Sequence, residues 1–377
     1  MESFSETDLH WMRQAHTCAE RSLWLSNPNP RVGCVIVSAQ GQLLAEGYTQ
    51  AVGGPHAEVV ALQQAKAMGH NVEGASVYVT LEPCSHHGRT PPCCDALVAA
   101  GVARVVVASI DPNPKVKGQG IDRLRAAGIQ VISGVLADET RALNPGFFKR
   151  MEQGLPWVRM KVAASLDGQT ALQNRVSQWI TSPQARADGH AFRARACAVM
   201  SGIGTLLADD PRLDVREVNT TRQPQLVVVD SQLRCPTPMK WQQVTGRIHH
   251  LFHARPALET SAAAMALKGI GVNLHAAPQT NGKVDLLAMM QRLAQLEVNE
   301  VHLETGQQLN GAMLEAGLVD EILLYLAPKW MGSGMGMSQT HPLQRLQDAW
   351  ALQWMDISPI GPDMRIRAQV VRSSGTA

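Results

Sequence analysis

The chain of 377 residues is too long for one average domain, and with 45% hydrophobic residues each of two halves can bury a core. A formal net charge of +2, no long Lys/Arg run and only 4% aromatic residues argue against the basic, base-stacking surface of a nucleic-acid binder. The 7 cysteines are odd in number and irregularly spaced, which argues against a disulfide framework and fits a reducing cytoplasm. No stretch approaches the roughly 18 apolar residues of a membrane span, and Met1–Glu6 has neither the basic start nor the apolar core of a secretory signal.

In chain order, residues 7–25 read as an amphipathic helix, with Thr7 as its cap and Leu9, Met12, Ala15, Ala19 and Leu23 at helical spacing. Asn27-Pro28-Asn29-Pro30 breaks it. A strand over Val32–Val37 pairs with Leu43–Ala45 as a hairpin, and Pro55 precedes a helix from about His56 to Ala67. A strand over Ser76–Leu81, a helix opening at Cys93, a strand over Arg104–Ile110, a helix over Ile121–Ala127 and a short strand at Val131-Ile132 follow. This order predicts a mixed α/β sheet with helices on its faces. The polar segment Phe148–Pro156 reads as a linker, which places a boundary near residue 150. A second α/β series then runs through a strand at Trp157–Ala163, a helix at Pro183–Arg195, and strands at Ala198–Met200 and Gln225–Val229. Strands near Val301–Glu304, Glu321–Ala327 and Arg365–Val371 follow, with a helix near Gly311–Ala316. Trp330–Met337 reads as a flexible Gly/Met loop.

His56-Ala57-Glu58, with Pro83-Cys84 and Cys93 further on, offers one imidazole, two thiols and a free carboxylate. That is the donor set of a catalytic zinc with one open position, beside a group that can move protons. Helical positions i and i+2 point about 200° apart. His56 and Glu58 therefore share a site only if His56 is the cap just outside the helix, where Pro55 favours a break. Cys93 opens a helix, whose N-terminus favours a thiolate, and Cys84 ends a strand, a usual place for functional groups. Zinc would bring water in the open position toward neutrality, and Glu58 would carry its proton to a ring nitrogen and then to departing ammonia. This is hydrolytic deamination of an aminated nitrogen heterocycle. The rival reading is a structural zinc with a fourth protein ligand from His86, His87 or Cys94. Cys94, about 100° around the helix from Cys93, reads as core. His86 and His87 read as pocket-lining or loop-fixing, and Cys18 and Cys34 as buried bystanders.

The second half has no G-x-G-x-x-G, which disfavours a Rossmann dinucleotide site. Gly202-Ile203-Gly204-Thr205 and Thr305-Gly306 each follow a strand and read either as phosphate-binding backbone or as tight turns. Asp209-Asp210-Pro211 reads as a cap or turn rather than a metal site. Lys161, on an apolar strand, needs a partner, and an anionic substrate would supply one. Glu304, at a strand end, reads as a ribose or substrate contact or as a helix-capping acid.

Zinc deaminases carry H-x-E followed by P-C-x-x-C. Here eight residues separate Cys84 from Cys93, and the string Pro83-Cys84-Ser85-His86-His87-Gly88-Arg89-Thr90-Pro91-Pro92-Cys93 resembles the bifunctional riboflavin-biosynthesis deaminase/reductase family. Asn27–Gly33, Asp111-Pro112-Asn113-Pro114, Lys161–Gly168, Ser177–Thr181, Gly204–Pro211 and Glu304–Gly311 carry the resemblance over almost the whole chain. The resemblance implies a cytidine-deaminase-like three-layer domain over residues 1–150 and a dihydrofolate-reductase-like α/β domain over residues 151–377. It implies zinc on His56, Cys84 and Cys93, with Glu58 as proton shuttle and Asn29 on the pyrimidine. In the second domain it implies NADPH at Ala163, Trp179, Thr205, Asp209, Ser231 and Gly306. Ser177, Arg193, Leu213, Arg216 and Glu304 would hold the phosphorylated substrate, with Lys161 as a catalytic residue. The expected partner is a small phosphorylated pyrimidine, with no nucleic acid and no membrane, in a homo-oligomer. The alternative is a nucleic-acid or nucleoside zinc deaminase with an accessory binding domain.

Overall fold

The computed structural model describes residues 4–85, 92–114 and 116–371. His86 and His87 lie outside the described residues. The chain forms two compact units, Met1–Gly154 and Leu155–Ala377.

The first unit runs α1 (Glu6–Glu20), β1 (Gly33–Val37), β2 (Leu43–Tyr48), α2 (Ala57–Ala67), β3 (Ser76–Leu81), α3 (Cys93–Ala99), β4 (Arg104–Ser109), α4 (Gln119–Ala126), β5 (Gln130–Ser133), α5 (Ala137–Leu143) and α6 (Pro145–Gln153). Its sheet has the order β2-β1-β3-β4-β5. β1 is antiparallel to β2 and β3, whereas β3, β4 and β5 are parallel. The central strands β1, β3 and β4 are buried on both faces, so their letters are apolar almost throughout, but the two-residue period still sorts them. Cys34, Ile36, Val77, Val79, Val105 and Val107 face the core shared with Ala57, Ala61, Cys94, Leu97 and Leu124 of α2, α3 and α4. Val35, Val37, Tyr78, Val106 and Ala108 face Met12 and Ala15 of α1. The result is three layers. Gly47 lets α2 press on β2: a Cβ there would stand 2.1 Å from the Ala57 carbonyl oxygen, so the start of α2 is fixed against the sheet.

Two readings of this half change. The first helix begins after Ser5, whose hydroxyl accepts from the Asp8 N–H, and ends at Glu20 rather than 25. The expected linker after residue 148 is mostly α6. Phe147, Phe148 and Met151 turn onto the core, and Gly154 ends the helix at φ 67°. Lys149 and Arg150, between Phe148 and Met151, hide the helical face.

The second unit runs β6 (Trp157–Ser165), β7 (Gln169–Leu172), α7 (Pro183–Arg195), β8 (Ala198–Gly202), α8 (Ile203–Asp209), β9 (Gln225–Val229), β10 (His249–His253), α9 (Ala262–Gly269), β11 (Val272–Ala276), β12 (Gln279–Thr280), β13 (Lys283–Val284), α10 (Leu286–Gln295), β14 (Glu300–Leu303), α11 (Gln307–Glu315), β15 (Glu321–Ala327), β16 (Gly334–Gly336), β17 (Ala351–Ile360) and β18 (Asp363–Val371). Its main sheet has the order β11-β10-β9-β8-β14-β6-β15-β18-β17. It is parallel as far as β15 and antiparallel through β18 and β17. Val158, Met160, Val162, Val301 and Leu303 face the core under α10 and α11. The alternate positions of β6 and β14 hold Arg159, Lys161, Glu300 and His302, with Glu304 just past the strand; Arg159, Glu300 and His302 are buried, and Lys161 and Glu304 half-buried.

The Gly/Met segment is not the expected free loop, because β16 pairs antiparallel with β7 and Thr170 Oγ1 donates to the Met335 carbonyl at 3.1 Å. Gly202-Ile203-Gly204-Thr205 is not a free loop: Gly202 caps α8 and the other three residues start it, so their backbone N–H groups open a helix at the end of β8. Asp210 closes α8 in the left-handed region at φ 41°, the capping role its sequence suggests.

Candidate active sites

The first site assembles at the C-terminal end of β3 and the first turns of α2 and α3. His56 is the N-cap of α2 with extended backbone (φ −75°, ψ 166°). Its ring is therefore free of helical spacing and reaches the same place as Glu58. Cys84 follows β3, and Cys93 is the first residue of α3. His56 Nδ1 lies 3.6 Å from Cys84 Sγ and 3.3 Å from Cys93 Sγ, and all three donor atoms lie within 4.8 Å of one another. Bonds of about 2.3 Å to sulfur and 2.0 Å to nitrogen on one tetrahedral ion would set a separation of roughly 3.5 Å. The donor set therefore fits zinc in both chemistry and spacing.

The electrostatics suit that ion. The Cys84 thiol is pulled down to about 4, first by the hydrogen bond with the Cys93 side chain and, against its burial, by His56. The same bond and burial push the Cys93 thiol up. The Cys93 backbone N–H also donates to Cys84 Sγ at 3.3 Å. Glu58 is 3% exposed, and burial, followed by the charge of Cys84, pushes its carboxyl up to about 7. A buried carboxyl beside that donor set is the kind of group that takes and returns protons. Cys94 packs in the core, and Cys18 and Cys34 are buried in the same unit.

Asn29 lies in the turn before β1, with its N–H donating to the Ser26 carbonyl at 2.8 Å. That turn is anchored by a residue the sequence reading missed. The Asn144 amide accepts from the Arg31 N–H at 2.7 Å and donates to the Arg31 carbonyl at 2.9 Å, as a neighbouring strand would. Nothing local in the sequence marks a contact between residues so far apart.

The second site gathers Lys161 from the middle of β6, Arg193 from α7 and Glu304 just past β14. Glu304 accepts from Arg193, with Nη2 at 2.8 Å from Oε2, and Lys161 Nζ is 4.0 Å from the same Oε2. Burial alone would raise the Glu304 carboxyl, but Arg193 and Lys161 outweigh it and hold it well below the usual range. Lys161 is lowered, chiefly by burial. It already has a protein carboxylate for a partner, where the sequence suggested only a substrate anion. Arg193 also donates to the Asp214 carbonyl at 2.6 Å, and Arg216 pairs with the Asp214 carboxylate at 2.8 Å. Asp214, flanked by Arg212 and Arg216, thus ties Arg216 to the Arg193–Glu304 pair.

The other candidate residues are spread along this edge. Thr205 Oγ1 is 3.5 Å from Thr305 Oγ1, which joins the start of α8 to Gly306, the N-cap of α11. Ala163 pairs with Tyr325 across β6 and β15. Ser231 follows β9, two strands from β14, and its hydroxyl accepts from the Val284 N–H at 3.1 Å. Asp209 ends α8. Trp179 is 60% exposed, with the Arg186 guanidinium 4.4 Å above its ring. Ser177 lies in the loop before α7. Leu213 is 4% exposed in the core with Ile203 and Trp241 at φ 50°, so its side chain faces away from solvent.

Comparison with known proteins is decisive. Residues 156–366 match the family described as the RibD C-terminal domain, and residues 5–109 match the cytidine and deoxycytidylate deaminase zinc-binding region. The Escherichia coli riboflavin biosynthesis protein RibD is 43% identical over 370 residues, covering 95% of this chain and 98% of that protein. The chain belongs to the RibD family. The RibD of Aquifex aeolicus is 36% identical, covering 96% of this chain and 98% of its own. The structure of Acinetobacter baumannii RibD superposes with a TM-score of 0.87 at 38% identity, covering 97% of this chain and 99% of that one. A Thermotoga maritima structure, described as a diaminohydroxyphosphoribosylaminopyrimidine deaminase/5-amino-6-(5-phosphoribosylamino)uracil reductase, superposes at 0.85 with 28% identity, covering 97% of this chain and 99% of that one. The RibD fold therefore pairs a cytidine-deaminase-like unit with a reductase unit in one riboflavin-biosynthesis enzyme, which uses zinc and NADPH. RibD membership does not favour the alternative of a nucleic-acid or nucleoside deaminase with an accessory domain. No helix among the described residues is long and apolar enough to cross a membrane.

Proposed function

We propose that the two half-reactions are divided between the units, deamination to residues 1–150 and reduction to residues 151–377. The first would convert 2,5-diamino-6-ribosylamino-4(3H)-pyrimidinone 5′-phosphate and water to the uracil analogue and ammonia. The second would add hydride at C1′ of the ribose while the C1′–O4′ bond breaks and O4′ takes a proton, which leaves the ribityl chain. The observation that carries the first assignment is the approach of His56, Cys84 and Cys93 beside the buried carboxyl of Glu58.

His56, Cys84 and Cys93 hold the ion, and zinc, when bound, supplies Lewis-acid activation of water. Glu58 takes the proton of the attacking water, delivers it to the ring nitrogen and then protonates the leaving amine. Asn29 orients the pyrimidine. In the second unit Ala163, Trp179, Thr205, Asp209, Ser231 and Gly306 line the NADPH site, and NADPH supplies the hydride. Ser177, Arg193, Leu213 through its backbone, Arg216 and Glu304 position the phosphorylated substrate, with Lys161 as a fixed cation at the reacting end. The protein's contribution there is orientation. Ammonia release and NADPH oxidation, followed separately on the diaminopyrimidine ribotide, test the division. A chain that performs only one of them refutes it.

The location is the cytoplasm, which fits the odd number and irregular spacing of the 7 cysteines. The chain self-associates through the edge strand β17, which exposes Trp354 (62%) and Ile357 (52%). Sedimentation that finds only monomer at micromolar concentration would remove that part of the proposal.

A further inference from the structure

We propose that Glu82 is a positioning residue of the deaminase site, whose buried carboxylate holds the segment after β4 and the start of α4 against the Pro83-Cys84 turn. The inference rests on the deaminase reading of the first unit and adds a residue that touches neither the metal nor the transferred proton. Glu82 follows β3, two residues before Cys84, and is 3% exposed. Four backbone N–H groups converge on it. Oε2 accepts from Asp111 at 3.2 Å and Gly118 at 2.9 Å, and Oε1 accepts from Gly120 at 2.9 Å and Ile121 at 3.3 Å. Its own N–H donates to the Ser109 carbonyl at 2.9 Å, so the side chain leaves the sheet from a fixed point.

Four converging donors need an acceptor with several lone pairs and no donors of its own. A carboxylate offers about four lone-pair sites, whereas an amide of the same shape would turn two N–H donors of its own toward N–H groups. Each buried N–H left without an acceptor is costly, so the segment would move rather than stay.

The segment that Glu82 holds abuts the ligand turn at two places. Gly120 packs so closely that a Cβ would stand 2.0 Å from the Pro83 carbonyl oxygen. Arg123 of α4 donates to the Ser85 carbonyl at 3.2 Å. The segment leaves the C-terminal end of β4, beside the end of β3, where parallel α/β sheets bind their ligands. Ile110 is 44% exposed at that edge. Glu82 therefore sets the distance between the metal turn and the wall of the pocket next to it, and its loss should be felt in substrate binding.

The test compares Glu82→Gln and Gly120→Ala with the unaltered full-length chain. Zinc per chain, kcat and KM for deamination, and amide exchange of residues 111–121 are measured. We expect zinc near full occupancy, faster exchange confined to that segment, and a KM raised by about tenfold or more in both variants, with kcat changed far less. A merely structural role would lower zinc content and kcat together with KM unchanged, and that result overturns the proposal, as does an unchanged KM at full zinc. If Glu82→Gln does not fold, Gly120→Ala decides by the same criterion. Absence of ammonia release from the unaltered chain would instead overturn the deaminase reading itself.

Discussion

Lys161 Nζ stands 4.0 Å from Glu304 Oε2, and Arg193 grips the same carboxylate from the other side. One carboxylate thus holds two cations, one from the middle of β6 and one from α7. Lys161→Ala should lower kcat/KM of NADPH-dependent turnover by about 10- to 100-fold through lost positioning, while deamination stays unchanged. Steady-state assays with the deaminated intermediate check it, and unaltered turnover would remove Lys161 from the site.

Glu58→Gln preserves shape and removes the proton carrier. Deamination should fall by roughly 10²- to 10⁴-fold, with zinc retained and reductase activity intact. Metal analysis beside the two activity assays separates this from loss of the site. Deamination at the unaltered rate would exclude Glu58 as the shuttle.

Arg159 is buried at 1% exposure between Glu300 at 3.3 Å and Glu321 at 2.9 Å, each carboxylate also 1% exposed. Arg195 and Arg367 reach the same two carboxylates from partly exposed positions. Arg159→Leu leaves two buried negative charges undercompensated and should destabilise the second unit by about 3 to 5 kcal/mol. Denaturant unfolding measures it, and a change below about 1 kcal/mol would show that the outer arginines suffice.

His250 bonds to His275 at 2.9 Å and to Gln225 at 3.0 Å. Burial, then His275, His249 and Arg292, bring its imidazolium down to about 4 from 6.5. The unfolded chain therefore binds the proton more readily than the folded one between those values. The stability His250 contributes is fully present above pH 6.5 and is lost as pH falls toward 4. Within that window it adds at most about 1.4 kcal/mol per pH unit to the slope. His250→Gln should flatten the fall in stability between pH 6.5 and 4, and an unchanged slope would contradict the assignment.

The meeting of His56, Cys84 and Cys93 was legible in the sequence because Pro55 permits a break before α2 and Pro92 before α3. β3, β9, β15 and α7 were legible because apolar or periodic runs end at breakers. The stretch from β10 to α10 was not: His249-His250-Leu251-Phe252-His253 is a buried strand written largely in polar letters. α6 was hidden by the charges around Phe147 and Phe148. The pairing of Lys161 with Glu304, the Asn144 clamp on Arg31 and the Glu82 anchor join residues brought together only by sheet order, which no local pattern encodes.

The most direct test of two linked activities is a chelator experiment on the diaminopyrimidine ribotide, with ammonia and NADPH followed in parallel. Chelation should abolish ammonia release and, with it, NADPH oxidation from that substrate. Supplying the deaminated intermediate should restore NADPH oxidation in full while the chelator is still present. Ammonia release that survives complete removal of zinc, or NADPH oxidation that the intermediate fails to restore, would contradict the account.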